Sequence, residues 1–407
     1  MILRDYQINI STEALQALQS CRIAYLAMEV RTGKTFTALH AADLYGAKSV
    51  LFVTKKKAIK SIEADYCSLS PGYTLTTTNF ESVHKVTGIF DLVIVDEAHS
   101  LGAFPKPSKR AKDLKAICKG LPIIFLSGTP SPESYSQMFH QLWVSSFSPW
   151  KSYPTFYKWC KDFVNFQLRK INGFTINDYS DAKEALVKID IDPFLFTWTQ
   201  QQAGFNQELT EEILRVSMKE ETKQAINEIK KTKLTCIDGK MVLGDSPAKL
   251  LTKMHQLSSG TVIDEDGGYH IIDRSKAGFI RDRFEGKKIA IFYVFKSEFE
   301  VLKETFPNWT ASPEEFQQSG KVFLGQFRSA REGVRLDTAD ALIFFNLEFS
   351  YLSYEQAKNR LQSKDRVKEA KLYFIVSDCG VESHILKAVR NKQDFTLSYY
   401  GKAIKTA

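Results

Sequence analysis

A glycine–lysine–threonine loop between a buried strand and a helix constrains this chain more than any other sequence feature. Gly33-Lys34-Thr35 follows an apolar run at 23–27 and precedes a helical pattern over 36–42. In this geometry, backbone N–H groups and a helix N-terminus cradle a polyphosphate. We expect Gly33 to let the backbone approach the phosphates, Lys34 to reach the β- and γ-phosphates, and Thr35 to hold Mg²⁺.

The loop departs from the usual phosphate-binding pattern at its first position, where Met28 stands in place of a glycine. An ordinary loop between a strand and a helix is the alternative. The phosphate-binding interpretation gains support from a second apolar run at 91–95, which ends in the adjacent carboxylates of Asp96 and Glu97.

These carboxylates are predicted at the carboxyl edge of a sheet, where open α/β folds bind ligands. We expect Asp96 to bind Mg²⁺, largely through water, and Glu97 to orient or deprotonate an attacking water. The alternative is that both residues simply cap the next helix.

Length and composition bound the class of protein. A chain of 407 residues is too long for one compact core, so two or three domains are expected. The six cysteines have no paired spacing and predict reduced thiols in a cytosol. Neither a signal peptide nor a membrane-spanning run is recognisable, and we expect a cytoplasmic protein. The net charge of +8 permits a polyanionic partner.

The first part of the chain alternates strands and helices. The predicted strands lie at 23–27, 48–54, 73–78, 91–95 and 121–126. Such alternation is typical of a parallel sheet covered on both faces. From about residue 131 the chain becomes rich in aromatic residues with helical spacing over 156–166, which predicts a helical extension of a first domain at 1–205.

A second α/β unit is predicted over 206–407. Its first part, at about 208–275, should be a helical and hairpin insertion with helices over 208–231 and 246–258 and a hairpin joining 260–263 to 269–272. The strands expected after it lie at 288–294, 322–325, 341–345 and 371–376.

Three further segments carry candidate functional residues. Near the start, the Gln7 amide can read an adenine edge while Tyr6 or Arg4 stacks on the base, although a helix-entry turn would look the same. Lys55 and Lys56 follow a strand end and are either a solvated charge run or contacts to a phosphate backbone. Residues 127–130, Ser-Gly-Thr-Pro, can sense a γ-phosphate or form an ordinary turn.

The order of these segments resembles helicase superfamily 2, and most closely its double-stranded-DNA translocase branch, which includes chromatin remodellers and many phage proteins. The resemblance covers nearly the whole chain, and the compact length suggests a phage-type member. Residues 3–7 resemble the adenine-reading motif, 28–35 motif I, 96–99 motif II and 127–130 motif III. Residues 295–297, 329 with 333–337, and 356–360 resemble motifs IV, V and VI.

The resemblance implies two RecA-like lobes with ATP and Mg²⁺ in the cleft between them, and DNA held mainly through its phosphates. It assigns nucleotide contacts to Arg4, Tyr6, Gln7, Arg31, Thr32, Gly33, Lys34, Thr35, Gly333 and Arg360. It assigns the metal to Thr35 and Asp96, and coupling of the site to the motor to His99, Ser127 and Thr129. It assigns DNA contacts to Thr54, Lys55, Lys56, Thr77, Thr78, Lys296 and Ser329.

Motif VI departs from the family pattern. The position of its usual second arginine, which stabilises charge on the γ-phosphoryl group, is Ser363 in this chain. Arg366 lies about one helical turn farther along. We expect Arg366 to act as this charge-stabilising arginine, called the arginine finger, with Arg360 in support. The alternative is a solvated Arg366 and an enzyme that relies on Arg360 alone.

The sequence therefore predicts a DNA-dependent ATPase that translocates on duplex DNA, with Lys34, Asp96, Glu97, Arg360 and Arg366 as catalytic residues. Two alternatives keep the nucleotide site: a strand-separating helicase, and a nucleotide-gated DNA-binding subunit with little turnover. A small-molecule kinase fits poorly with two separate α/β halves.

Overall fold

The computed structural model describes residues 3–171, 174–205, 209–330, 334–362, 366 and 369–391. The chain forms two compact units that divide between Gly204 and Phe205. Each unit is built on a six-stranded parallel sheet. The predicted fold class is confirmed: this is an α/β protein whose architecture is consistent with two RecA-like lobes.

The strands of the first unit make one parallel sheet and one hairpin. They are β1 (Ile23–Met28), β2 (Ser49–Thr54), β3 (Thr74–Asn79), β4 (Leu92–Val95), β5 (Ile123–Leu126), β6 (Gln167–Ile171), β7 (Phe174–Asp178) and β8 (Leu195–Trp198). The sheet order is β3-β2-β4-β5-β1-β8, and β6 pairs with β7 in the hairpin. The inner strands are continuous apolar runs because helices cover both faces of the sheet.

The helices of the first unit include three within the aromatic-rich segment. They are α1 (Asp5–Cys21), α2 (Lys34–Leu44), α3 (Ile59–Leu69), α4 (Lys109–Ile117), α5 (Gln137–Trp143), α6 (Phe156–Phe163) and α7 (Glu184–Ile191). The helix predicted over 156–166 is α6, whose ring of Trp159 stacks on that of Phe163 with centroids 5.0 Å apart. The β6–β7 hairpin was not predicted.

The strands of the second unit follow the same plan. They are β9 (Leu209–Val216), β10 (Leu234–Ile237), β11 (Lys240–Leu243), β12 (Thr261–Ile263), β13 (Tyr269–Ile271), β14 (Ile289–Tyr293), β15 (Trp309–Thr310), β16 (Val322–Gln326), β17 (Ala341–Phe344) and β18 (Ala370–Ser377). The sheet order is β15-β16-β14-β17-β18-β9, and the remaining strands form the hairpins β10–β11 and β12–β13. The second hairpin is the one predicted from the sequence.

The helices of the second unit cover its sheet. They are α8 (Glu220–Thr232), α9 (Pro247–Ser258), α10 (Ser275–Arg283), α11 (Lys296–Thr305), α12 (Pro313–Gln318), α13 (Phe327–Ala330), α14 (Tyr351–Lys358) and α15 (Glu382–Arg390). The predicted amphipathic helix is α9, which begins where the Ser246 side chain accepts a hydrogen bond from the Lys249 N–H. No helix in the described ranges combines the length and the apolar character needed to cross a bilayer.

The helix predicted over 208–231 is wrong in its first half. Residues 209–216 form the edge strand β9, which pairs in parallel along its whole length with β18. Its sequence, LTEEILRV, contains good helix formers, and local propensity is a weak guide where a sheet edge is available for pairing. Glu211 is held there by hydrogen bonds from the Tyr354 hydroxyl at 2.7 Å and Arg390 at 3.0 Å.

A buried ion pair ties α10 to α15 in the second unit. The side chains of Lys276 and Glu382 are 1% and 2% exposed and lie in direct contact. Lys276 also donates to the Phe345 carbonyl at 2.9 Å, and Glu382 accepts from the Ser377 N–H at 2.7 Å. Both buried charges are therefore compensated by a partner and by backbone groups.

Lys276→Met should destabilise the protein, because it leaves the Glu382 carboxylate buried without its cation. Loss of one member of a buried pair costs roughly 3–5 kcal/mol. We expect that decrease in the free energy of unfolding, measured by urea denaturation. The matched control is Lys240→Met, which breaks the exposed pair with Asp266 and should change stability little. Equal effects of the two variants would contradict the role given to the buried pair.

Candidate active site

The centre of the candidate site is the carboxylate pair at the end of β4. Asp96 Oδ2 accepts a hydrogen bond from Thr54 Oγ1 at 2.8 Å, and its Oδ1 accepts from the Glu97 N–H at 2.9 Å. Burial, followed by the neighbouring charge of Glu97, raises the pKa of Asp96 to about 6. A divalent cation would relieve both effects, so the pair is chemically suited to Mg²⁺.

Glu97 is held between two basic side chains. Its Oε1 lies 3.5 Å from Lys55 Nζ, and its Oε2 lies 3.4 Å from His99 Nδ1. Burial alone would raise the pKa of Glu97, but the positive charges of His99, Lys55 and Lys34 outweigh it and lower that pKa. The carboxylate is therefore ionised and able to orient a water.

The backbone of Glu97 is left-handed, with φ +51° and ψ +43°. For a residue with a Cβ this conformation costs on the order of 1–2 kcal/mol. From this backbone conformation the side chain contacts its two basic neighbours, Lys55 and His99.

The predicted coupling residues lie together. His99 Nδ1 is 2.9 Å from Ser127 Oγ, and the same oxygen accepts a hydrogen bond from the Thr129 N–H at 3.1 Å. His99 also faces Glu97, so one imidazole ring joins the end of β4 to the turn after β5. A shift of that turn would move His99 through its contact with Ser127, and His99 in turn contacts the carboxylate of Glu97.

The phosphate-loop candidate bends at Arg31 and Gly33, where φ is +66° and +87°. Met28 is the last residue of β1 and is completely buried. The bend therefore needs no glycine at position 28, and the departure from the usual pattern is accounted for. Thr32 Oγ1 closes the loop by donating to the Glu29 carbonyl at 2.7 Å.

Lys34 and Thr35 open helix α2. Lys34 is partly exposed, and its Nζ donates to the Glu29 carbonyl at 3.2 Å. Its charge opposes the rise in the pKa of Asp96 and contributes to the lowered pKa of Glu97, so the lysine and the carboxylates share one electrostatic environment. A helix N-terminus, a lysine and two carboxylates together fit a magnesium-bound polyphosphate.

The segment predicted to read adenine packs directly on this loop. Gln7 is buried; its Oε1 accepts from the Arg4 N–H at 2.9 Å and its Nε2 donates to the Gly33 carbonyl at 3.4 Å. The Tyr6 hydroxyl donates to the Thr32 carbonyl at 2.7 Å and accepts from Arg4 Nη1 at 3.1 Å. The start of α1 thus fixes the loop as well as lying beside it.

Two residues at the site were missed from the sequence. The Trp198 ring stacks on that of Tyr6, with centroids 5.1 Å apart and planes 13° apart. Gln200 donates from its backbone to Glu29 Oε2 at 2.7 Å and from its side chain to the Val30 carbonyl at 2.9 Å. The sequence there is a tryptophan followed, after Thr199, by three glutamines, a pattern that does not by itself indicate a nucleotide site.

The predicted DNA contacts of the first unit have different environments. Thr54 is fully buried and holds Asp96, and Thr78 is also buried, so neither side chain lies on a surface for DNA. Thr77 Oγ1 donates to Glu63 at 2.7 Å. Lys56 is exposed, whereas Lys55 faces Glu97. The prediction of Thr54 as a DNA contact is therefore wrong, and its side chain instead supports the carboxylate of Asp96.

In the second unit, Lys296 is exposed at the first residue of α11, and the exposed Ser329 donates from Oγ to the Gln326 carbonyl at 3.0 Å. Gly333 and Ser363 lie outside the described residues. Arg360 Nε donates to the Gln356 carbonyl at 3.0 Å and its side chain is partly buried.

Arg366 does not have the exposed position expected of a finger. It is 7% exposed, and its guanidinium donates to the carbonyls of Asp337 at 2.6 Å, Ala339 at 2.8 Å and Glu369 at 2.9 Å. An arginine with this many backbone acceptors has a structural role in its own unit. Arg360 is consequently the better candidate for contact with a phosphoryl group.

Comparison with known proteins finds distant, partial similarity to helicases. No family model matches the chain. Helicase SWR1 of Candida albicans is 29% identical over 101 residues, or 22% of this chain and 6% of that protein. Helicase SWR1 of Kluyveromyces lactis is 30% identical over 91 residues, or 20% of this chain and 6% of that protein. The matched region thus spans only a small part of these curated relatives.

Gly33→Ala should abolish tight nucleotide binding. The left-handed backbone strains any residue with a Cβ, and at this position the added carbon would lie 2.0 Å from Gln7 Nε2. Gly46→Ala is the matched control, since Gly46 has φ +79° with open space around it. Both variants should lose roughly 1 kcal/mol or more of stability from backbone strain. Nucleotide affinity, measured by calorimetry, should fall only in Gly33→Ala; unchanged affinity there would contradict the placement of the phosphate loop.

Proposed function

We propose that this chain is an ATP-dependent motor of the helicase superfamily that translocates on DNA, with duplex DNA favoured. One observation carries the ATPase part of the proposal. The loop lysine, Lys34, follows β1 and the carboxylates of Asp96 and Glu97 follow β4, at the same carboxyl edge of one parallel sheet. The charge of Lys34 favours the ionised form of both carboxylates.

In this proposal each residue of the first unit has a defined task. Lys34 and the N-terminus of α2 bind the β- and γ-phosphates, and Thr35 with Asp96 holds Mg²⁺. Water attacks the γ-phosphorus, the bond to the bridging β–γ oxygen breaks, and Glu97 accepts the proton of that water. His99 and Ser127 report the loss of the γ-phosphate to the turn after β5.

Binding to DNA is proposed from charge and similarity. The net charge is +8, and Lys56 and Lys296 are exposed. Lysine contacts to phosphates are independent of base sequence, so the motor should accept many sequences and bind more weakly as salt rises. The partial similarity to helicases supports the same class of partner.

A nucleotide-gated DNA-binding subunit with little turnover is the second candidate. It is favoured by the burial of Arg366 together with Ser363 at the usual finger position. Stimulation of ATP hydrolysis by duplex DNA separates the candidates, because a motor should be stimulated strongly and a gated binder hardly at all.

Lys34→Ala and Glu97→Gln should each abolish ATP hydrolysis without weakening DNA binding. Lys34 neutralises phosphate charge and Glu97 positions the water, and neither is expected to touch DNA. Hydrolysis is measured as released phosphate with and without duplex DNA, and DNA affinity by fluorescence anisotropy.

Lys85→Ala serves as the control, since Lys85 is an exposed lysine of the same unit with no proposed part in the site. Turnover close to that of the unaltered chain in both Lys34→Ala and Glu97→Gln would refute the ATPase assignment.

The two motif VI arginines should respond differently to replacement. Arg360→Ala should lower the DNA-stimulated kcat by ~10²-fold or more while nucleotide affinity hardly changes, as for loss of a transition-state contact. Arg366→Ala should instead lower the free energy of unfolding, because three backbone carbonyls lose their donor. Normal stability of Arg366→Ala with a large loss of kcat would return the finger role to Arg366.

A further inference from the structure

Lys55 was predicted to contact a DNA phosphate, but in the structure its side chain pairs with the carboxylate of Glu97. The residue directly follows β2, where the sequence predicts contacts to a phosphate backbone, yet its Nζ lies 3.5 Å from Oε1 of the catalytic candidate Glu97. The side chains of Lys55 and Glu97 are 29% and 27% exposed. The ion pair is thus open to solvent and can be exchanged for another partner.

We propose that Lys55 restrains the carboxylate of Glu97 until a DNA phosphate replaces that carboxylate as the partner of Lys55. The inference rests on the proposed function and adds to it a residue that couples DNA binding to ATP hydrolysis. Lys55 is a positioning residue in this scheme, since it acts on the reaction through Glu97.

The chemistry of a general base explains the restraint. An oxygen of a carboxylate that is paired with an ammonium is occupied and is not free to accept a hydrogen bond from the attacking water. When a phosphate attracts Lys55, Oε1 becomes available to the attacking water. His99 remains on Oε2 at 3.4 Å and preserves the orientation of the side chain.

The backbone supports the same exchange. The left-handed conformation of Glu97 fixes where its side chain starts, so the loss of one ion-pair partner does not require the backbone to move. Thr54, the residue before Lys55, is hydrogen-bonded to Asp96, the residue before Glu97, at 2.8 Å. The side chains of Lys55 and Glu97 therefore start from backbone positions that the Thr54–Asp96 hydrogen bond holds together.

A double-mutant cycle on DNA affinity, without nucleotide, tests the exchange directly. An ion pair of this exposure corresponds to about two- to fivefold in an equilibrium constant. Glu97→Gln should therefore tighten DNA binding about two- to fivefold, because Lys55 no longer has to leave a carboxylate. In the Lys55→Ala background the same substitution should change affinity very little. Lys55→Ala alone should weaken binding and reduce the salt slope of log K by about 0.9.

ATP hydrolysis provides the second measurement. Lys55→Ala should raise the DNA-free rate about two- to fivefold, since the restraint on Glu97 is lost. The same variant should show a smaller ratio of DNA-stimulated to DNA-free rate. Lys60→Ala is the matched control, because Lys60 is exposed on α3, five residues after Lys55, and should leave the DNA-free rate unchanged.

Two results would overturn the inference. An equal gain of DNA affinity from Glu97→Gln with and without Lys55 would mean general charge repulsion rather than exchange of a partner. A fall in the DNA-free rate of Lys55→Ala would mean that Lys55 contacts the nucleotide. Either result leaves the ATPase proposal standing, whereas that proposal itself fails if the unaltered chain shows no hydrolysis with duplex DNA.

Discussion

Two partly buried carboxylates cannot lie side by side without compensation, and the first unit is arranged around this constraint. Burial, followed by the charge of Glu97, raises the pKa of Asp96 at the end of β4. The compensation comes from the ends of neighbouring elements: Thr54 from β2, Lys34 from α2, and His99 from the turn after β4. A parallel sheet brings these ends to one edge, so the fold and the charge balance of the site have a common origin.

The sequence predicts the elements best where a strand is buried on both faces. Continuous apolar runs identified β1, β2, β4 and β5 in the first unit, because such strands contact helices on each side. The same reasoning failed for β9, an edge strand in which polar residues interrupt the apolar pattern. Its structure depends on pairing with β18, which lies about 160 residues later in the chain, as the bond from Thr210 to Glu369 illustrates. The sequence pattern of β9 itself does not indicate a partner strand so far away in the chain.

The site residues, like the strands, could be predicted only where a local sequence pattern identifies them. The loop, the carboxylate pair and the His99–Ser127 contact belong to short local patterns, so their neighbourhood could be predicted. Side chains whose role depends on distant partners could not. Thr54 has the sequence position of a surface contact but is buried against Asp96, and Arg366 has the position of a finger but is bound to three carbonyls. Their environments are set by the way separate strands and loops pack.

The phosphate loop shows how a missing sequence signal can be supplied by tertiary structure. A glycine at the first position would normally give the chain freedom to turn, yet Met28 is still paired in the sheet, opposite Trp198 of β8. The Glu29 N–H donates to the Trp198 carbonyl at 2.9 Å, which extends this pairing into the loop. Gln200 then fixes Glu29 and Val30 from a position about 170 residues later in the chain. We infer that these contacts offset the strain of the left-handed Arg31. The loop is thus held in its bent conformation by β8 and Gln200, without a glycine at position 28.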